Sequence, residues 1–315
     1  MVKILSIMGS TACGKTDLAV NIAKKFNAEI INADAMQLYK EMNIGVNKVC
    51  PHNMQGIKHH LLGFLSVKES FSVSEFVFLA RKIAKEIQNR GKLIILCGGT
   101  GLYIDNFLKN NTFLNMSVDF SVRKKLEERA QKIGCKSLLL ELKKIDPLTA
   151  SKLHENDKKR ILRALEIYYT TSKTLSFQNE VSKKRKKIYD ICKIGLAFSS
   201  REKLYEKINL RVDKMIQEGL ENEARMIFNL APSKTAAKAI GYREFFDYFK
   251  GNTSLSETIE KIKINTRHYA KKQITWFKKD KDVAWIFIDK EKNFDEVISK
   301  AENVVKNFIG NHLQS

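Results

Sequence analysis

Lys15 and Thr16 end the run Gly9-Ser10-Thr11-Ala12-Cys13-Gly14-Lys15-Thr16, a G-x-x-x-x-G-K-[ST] pattern that follows directly on the apolar run Ile4-Leu5-Ser6-Ile7-Met8. Two glycines allow a tight turn whose backbone N–H groups converge on an anion, the lysine neutralises phosphate oxygens, and the hydroxyl can ligate Mg²⁺. A hydrolase built on such a loop also needs an acid at the end of a second buried strand. Leu93-Ile94-Ile95-Leu96-Cys97 instead runs into Gly98-Gly99-Thr100-Gly101-Leu102-Tyr103, so backbone or the Thr100 hydroxyl faces the site. That argues against a motor-type hydrolase. The first strand-end carboxylate is Asp34, in Asn32-Ala33-Asp34-Ala35-Met36-Gln37-Leu38-Tyr39. It can hold Mg²⁺ through water, accept a proton from a nucleophile, or simply cap a helix beside a surface Gln37. Gln37 offers both a donor and an acceptor, the pair a nucleobase edge requires.

The elements that must position these groups are legible as patterns. Strand 3–8, the glycine loop, a helix from Lys15 to about Phe26 and a strand over 29–31 form the start of a βαβ unit with a parallel sheet. Ser72-Val73-Ser74-Glu75 has capping-box spacing and opens an amphipathic helix that Gly91 ends. The uninterrupted apolar run 93–97 is a strand covered on both faces. From about 118 to 180 the strand signal disappears and charge-laced helical segments take over, over 122–132, 137–144 and 158–169. A strand returns at 191–198, helices follow, and 283–288 supplies a last strand before a terminal helix. The reading is an α/β, P-loop NTPase-like parallel sheet flanked by helices, with an all-helical insertion domain. Its parts are core 1–117, insertion 118–187 and core 188–315.

Composition narrows the partners. Fifty-six Lys plus Arg against 35 Asp plus Glu leaves a formal charge of +21, more than solubility requires, so either a polyanion binds or lysine decorates every surface. The run Lys183-Lys184-Arg185-Lys186-Lys187 reads as a solvated linker. Five cysteines without a C-x-x-C pair fit neither a disulfide framework nor a zinc site and suit a reducing cytosol. No apolar run near the start is long enough to span a bilayer and no cleavage pattern follows it, so a cytoplasmic protein is expected. His59 and His60 have no partner at metal spacing, which favours a packing role over ligation.

Together the motifs resemble one family, the tRNA dimethylallyltransferases (tRNA isopentenyltransferases), in the bacterial form without a zinc finger. The resemblance rests on GSTACGKT at 9–16, DAMQLYKEMNIG at 34–45, HHLL at 59–62, GGTGLY at 98–103, HENDKKRILRALE at 154–166, KAIGYRE at 238–244 and TRHYAKKQITWF at 266–277. Ser10, Cys13, Ala35 and Gly63 depart from the residues usual there. The resemblance implies transfer of a dimethylallyl group from dimethylallyl diphosphate to N6 of the adenosine 3′ of the tRNA anticodon, with diphosphate as the leaving group. It implies Mg²⁺ at Thr16, diphosphate held by Gly9 to Thr16, and Lys15, Arg211 and Thr100 acting on the reacting groups, with Asp34 as general base. Taken alone, Arg211 reads as a solvated helix charge. By the same resemblance tRNA contacts fall on Asp34, Ala35, Met36, Gln37, Thr100, Arg123, Lys159, Arg160, Ile161, Leu162 and Arg163, and on Lys238, Ala239, Ile240, Gly241, Tyr242 and Arg243. Trp276 and Phe277 are weighed between base stacking and core packing, with packing favoured. No protein partner is expected, and the chain is expected to be a monomer.

Three other readings compete. A small-molecule P-loop kinase would clamp a nucleoside triphosphate with lid arginines, which the GGTGLY and DAMQ blocks do not suit. An RNA-binding scaffold would not need Lys15, Thr16 and Asp34 together. A prenyltransferase acting on free nucleotides could dispense with the basic cluster Lys159, Arg160 and Arg163, which helical spacing brings within about one turn.

Overall fold

The computed structural model describes residues 1–111 and 120–310. Two compact units divide the chain, one comprising Met1–Leu108 with Ile188–Ser315 and the other Lys109–Lys187. The expected boundary at 117/118 lies outside the described residues.

The first unit begins with β1 (Val2–Gly9), α1 (Lys15–Lys25), β2 (Ala28–Asn32), α2 (Pro51–Met54), β3 (His59–His60), α3 (Val73–Asn89), β4 (Leu93–Gly98) and α4 (Gly101–Leu108). The second unit holds α5 (Phe120–Ile145), α6 (Pro147–Ala150), α7 (Lys158–Thr171) and α8 (Leu175–Lys183). The first resumes with β5 (Tyr189–Ala197), α9 (Arg201–Gln217), α10 (Leu220–Asn229), α11 (Phe245–Phe249), α12 (Leu255–Phe277), β6 (Ala284–Phe287) and α13 (Phe294–Gly310). None of the described helices is long and apolar enough to cross a membrane.

The six strands form one parallel sheet in the order β3-β2-β4-β1-β5-β6. Central β1 buries Ile4, Leu5 and Ile7 completely, because helices cover both faces. On one face Leu5, Ile7, Ile95 and Ile194 pack with Leu18 and Ile22 of α1 and Val297 and Ala301 of α13. On the other lie α3, α4 and α12, against β2, β4 and β1. The Ser72–Glu75 capping box forms with both of its hydrogen bonds, which sets the start of α3. A second apolar cluster joins Tyr39, Met42 and Leu65 to Val212, Leu220, Tyr242, Phe245 and Ile262, so the loops after β2 are roofed by α9, α10, α11 and α12.

The two-residue strand β3 carries no alternation that sequence could reveal. Its register beside Ile30 and Ile31 sets His60 Nε2 2.7 Å from the Glu29 carboxylate. Arg90 Nη2 (2.7 Å) and Lys92 Nζ (3.1 Å) bind the same group. Burial alone would raise the Glu29 pKa, but Arg90, His60 and Lys92 together hold it down at about 2.

In the second unit α5 is broken at Gly134 (φ 77°, ψ 161°), between the two segments expected at 122–132 and 137–144. Leu126, Leu138, Leu142, Ile161, Leu162 and Leu165 form its core.

Candidate active site

β1 ends in the phosphate-loop sequence at the carboxyl edge of the sheet, where open α/β folds gather ligands. Gly14 (φ 72°, ψ 20°) caps α1 with no side-chain hydrogen bond, so the first-turn N–H groups are left facing outward as an anion site. The Phe294 ring packs so close to Gly14 that a Cβ there would sit 2.8 Å from Cε2. Ala12 is also left-handed (φ 63°), a conformation that costs a non-glycine residue on the order of 1 kcal/mol and turns the loop back on itself. Lys15 Nζ donates to Ser10 O at 2.6 Å, and Cys13 Sγ donates to the same carbonyl at 2.7 Å. The lysine ammonium is thereby folded over the loop. Ser10 itself is fully buried, and its hydroxyl has no hydrogen-bond partner.

Asp34 leaves the end of β2 in a tight turn. Its Oδ1 accepts from Met36 N at 3.0 Å, and its own N–H donates to Asn32 Oδ1 at 3.2 Å. Oδ2 takes no hydrogen bond among the described residues. Thr100 fastens this turn to β4: Thr100 N donates to Ala33 O at 3.1 Å, and Ala35 N donates to Thr100 Oγ1 at 3.0 Å. Arg211, half-buried on α9, lies in the field of Asp34; burial lowers its pKa, and the aspartate and Cys13 pull it back up. Tyr269 of α12 lies beside Asp34, Thr100 and Gln273, and burial of the phenol followed by the aspartate charge raises its pKa.

A cavity of about 930 Å³ joins these groups. Thr11 to Thr16, Asp34 to Gln37, Thr100, Arg211, Lys238 to Gly241 and Arg243 line it, all within the first unit. The anion cradle and an acid with one free oxygen therefore open on the same space. The IPP transferase family profile matches residues 37–280.

The chain belongs to that family.

It is 43% identical over 312 residues to the tRNA dimethylallyltransferase of Thermoanaerobacter pseudethanolicus, covering 98% of each chain. The solved tRNA isopentenylpyrophosphate transferase of Bacillus halodurans is 36% identical with a TM-score of 0.75, over 100% of this chain and 99% of the other. A eukaryotic dimethylallyltransferase solved acting on tRNA is 28% identical with a TM-score of 0.82, over 99% of this chain and 80% of the other. The P-loop NTPase-like fold read from the sequence is the fold of this family member.

The side chains at the expected tRNA contacts are placed in different ways. Tyr242 is fully buried, its hydroxyl donating to Glu223 Oε1 at 2.6 Å. Ile161 and Leu162 lie in the core of the second unit, because a helical period turns them inward while Lys159, Arg160 and Arg163 face solvent. Arg123 and Arg163 share the buried Glu166 at 2.9 and 3.1 Å, and Arg160 reaches Asp157 at 3.4 Å. Gln37 spends its amide donor on Val46 O and Asn47 O (3.2 and 3.3 Å), leaving only its carbonyl oxygen for a base. Phe277 is buried, whereas Trp276 is 40% exposed with its ring against Gly101.

Residues overlooked in the sequence are Tyr269, Gln273 and Glu223. Gln273 had a signal: it interrupts the buried stripe Ala270, Gln273, Phe277 of α12, and a polar residue inside an apolar stripe has to be satisfied by something specific. Glu223 had none, since the Ile44 and Gly45 N–H groups that it binds lie 179 and 178 residues away.

Proposed function

We propose that the chain transfers a dimethylallyl group from dimethylallyl diphosphate to N6 of the adenosine 3′ of the anticodon in tRNA and releases diphosphate. The observation that carries this reading is the convergence of the phosphate loop and Asp34 on one cavity. An anion site alone would suit many phosphoryl enzymes. An opposed acid with a free oxygen suits an amine nucleophile.

The allylic C–O bond breaks with its electron pair passing to diphosphate. The loop N–H groups, Lys15 and Arg211 lie where that charge develops and stabilise it more than the ground state. The N6 lone pair is delocalised into the purine and attacks poorly, so Asp34 Oδ2 accepts the N6–H hydrogen bond and then the proton as the N–C bond forms. The adenine must leave its stack to enter the cavity. Thr100 fastens the Asp34 turn to the β4 loop. Thr16 and Asp17 put hard oxygen donors at the cavity wall beside the anion loop, a chemistry that suits Mg²⁺. Bound there through Thr16, Mg²⁺ would act as a Lewis acid toward the leaving group.

Exposed Lys158, Lys159, Arg160 and Arg163 on α7 supply a cationic helix face for the tRNA backbone, and Lys238 and Arg243 supply cations at the cavity mouth. The proposed setting is the cytoplasm, with the chain monomeric and tRNA and the allylic donor as its partners.

The test is incubation with Mg²⁺, dimethylallyl diphosphate and unmodified tRNA, then mass analysis of nucleosides. Dimethylallyl adenosine is expected. Cleavage of the terminal phosphate of ATP with indifference to allylic donors would overturn the reading.

A further inference from the structure

We propose that Gln273 is a positioning residue that sets the distance between the departing diphosphate and the proton-accepting carboxylate; the inference rests on the transfer reaction above. Gln273 is 6% exposed on α12 and uses both ends of its amide across the site. Its Oε1 accepts from Thr11 N at 2.9 Å, and its Nε2 donates to Gly99 O at 2.9 Å. Thr11 belongs to the anion loop after β1. Gly99 leads into Thr100, whose N–H and Oγ1 bind Ala33 and Ala35 on either side of Asp34. One side chain thus closes a chain of bonds from the anion loop, through the β4 loop, to the turn that carries the acid.

The sheet cannot do this by itself. Ladder bonds hold β1 to β4 only as far as Met8 and Gly98, and β4 to β2 as far as Cys97 and Asn32. Beyond those pairs the β2 and β4 loops are still joined by backbone bonds, Ala33 N to Cys97 O at 2.7 Å and Thr100 N to Ala33 O at 3.1 Å, whereas the β1 loop is tied to the β4 loop at Thr11 through the Gln273 side chain. The fit is close: a Cβ on Gly99 would lie 2.2 Å from Gln273 Nε2 and 3.8 Å from Asp34 Oδ2. Gly99 has no left-handed φ, so a Cβ here would act by pushing the Gln273 amide aside and not by straining the backbone.

Transfer demands the N6 nitrogen, the allylic carbon and the leaving oxygen in line at contact distance, and a displacement of about 1 Å costs on the order of 10² in rate. Gln273 touches neither reacting atom. Its effect is to keep the acid and the leaving group matched. When the match is lost, water can attack the allylic carbon in place of N6, giving dimethylallyl alcohol, diphosphate and a proton.

The experiment compares Gln273→Asn, Gln273→Ala, Gly99→Ala and the Gly99→Ala/Gln273→Ala double variant with the unaltered chain. Single-turnover transfer at saturating substrates, affinity for inorganic diphosphate and for tRNA, and dimethylallyl alcohol formed per prenylated tRNA are measured. Gln273→Asn, one methylene short, is expected to slow transfer about 10- to 100-fold with both affinities unchanged and with a larger share of alcohol. Gly99→Ala should do the same from the opposite side of the amide. The double variant should be no slower than Gln273→Ala, since both changes remove one interaction. A wild-type alcohol share in every variant, multiplied rate losses in the double variant, or equal falls in affinity and rate would reduce Gln273 to a packing residue. Failure of the unaltered chain to prenylate tRNA would instead overturn the transfer reaction itself.

Discussion

The loop after β1 and the loop after β2 face the same cavity but are held by opposite means. The first is shaped mostly by local bonds: Lys15 and Cys13 both bond to Ser10, and left-handed Ala12 and Gly14 turn the backbone within a few residues, while Gln273 ties Thr11 N from α12. The second is held from afar. Ala35 N bonds to Thr100 65 residues on, and Asn43, Ile44 and Gly45 N–H groups converge on the Glu223 carboxylate of α10, which also accepts from Tyr242. An anion site made of backbone survives wherever its short pattern survives. A site that must aim a carboxylate at a bulky nucleophile depends on the packing of distant helices.

The largest expected effects come from removing the charged group on each side. Lys15→Ala should cut turnover about 10²- to 10³-fold and weaken the allylic donor. Asp34→Ala should cut turnover by about 10² while tRNA affinity in a binding assay stays nearly constant. Equal loss of affinity and rate at Asp34 would erase the contrast and make the acid a structural residue. Next in size, Glu223→Ala strands three backbone donors and the Tyr242 hydroxyl, which should destabilise the fold by about 1–3 kcal/mol in denaturant titration and raise KM for tRNA. Donor affinity should not move; if it does, the two loops are not separately held.

The insertion sharpens the comparison because its charges act at long range. Replacing Lys159, Arg160 and Arg163 with Ala should weaken tRNA binding and flatten its salt dependence by up to about 0.7 to 0.9 for each phosphate that is no longer neutralised. An unaltered slope would remove α7 from the interface. The smallest effect is expected at Glu29, which does not line the cavity. Its carboxyl titrates near 4.5 when unfolded and at about 2 in the fold, where burial is outweighed by Arg90, His60 and Lys92. Between those values the unfolded chain binds the extra proton, so stability is complete above pH 4.5 and falls as pH drops toward 2. Glu29→Gln should flatten that acid limb in pH-dependent melting without touching prenyl transfer.

Much of the fold was legible because its signals are short in range. The strands at 3–8, 93–97 and 191–198, the helix from Lys15 and the Ser72–Glu75 cap all follow from periodicity and capping chemistry that neighbours a few residues apart decide. Lys15, Thr16, Asp34 and Thr100 were equally legible, each standing at a strand end beside glycine or a turn. At Ile161 and Leu162 block similarity is coarser than periodicity: it groups them with their neighbours as RNA contacts, while the helical period of α7 turns their side chains into the core, away from Lys159, Arg160 and Arg163.

What the amino-acid sequence determined by itself is therefore the parallel sheet, the glycine loop after its first strand and the place of Asp34 at the end of the second. Only the tertiary structure decided which distant groups hold the loops that carry them, Gln273 on α12 bonding Thr11 N and Gly99 O and Glu223 on α10 bonding the segment after β2, and it alone brought His60 of β3 to Glu29. The physical reason is that backbone preferences are settled among adjacent residues, whereas a buried polar side chain chooses its partners only after distant segments have packed around it.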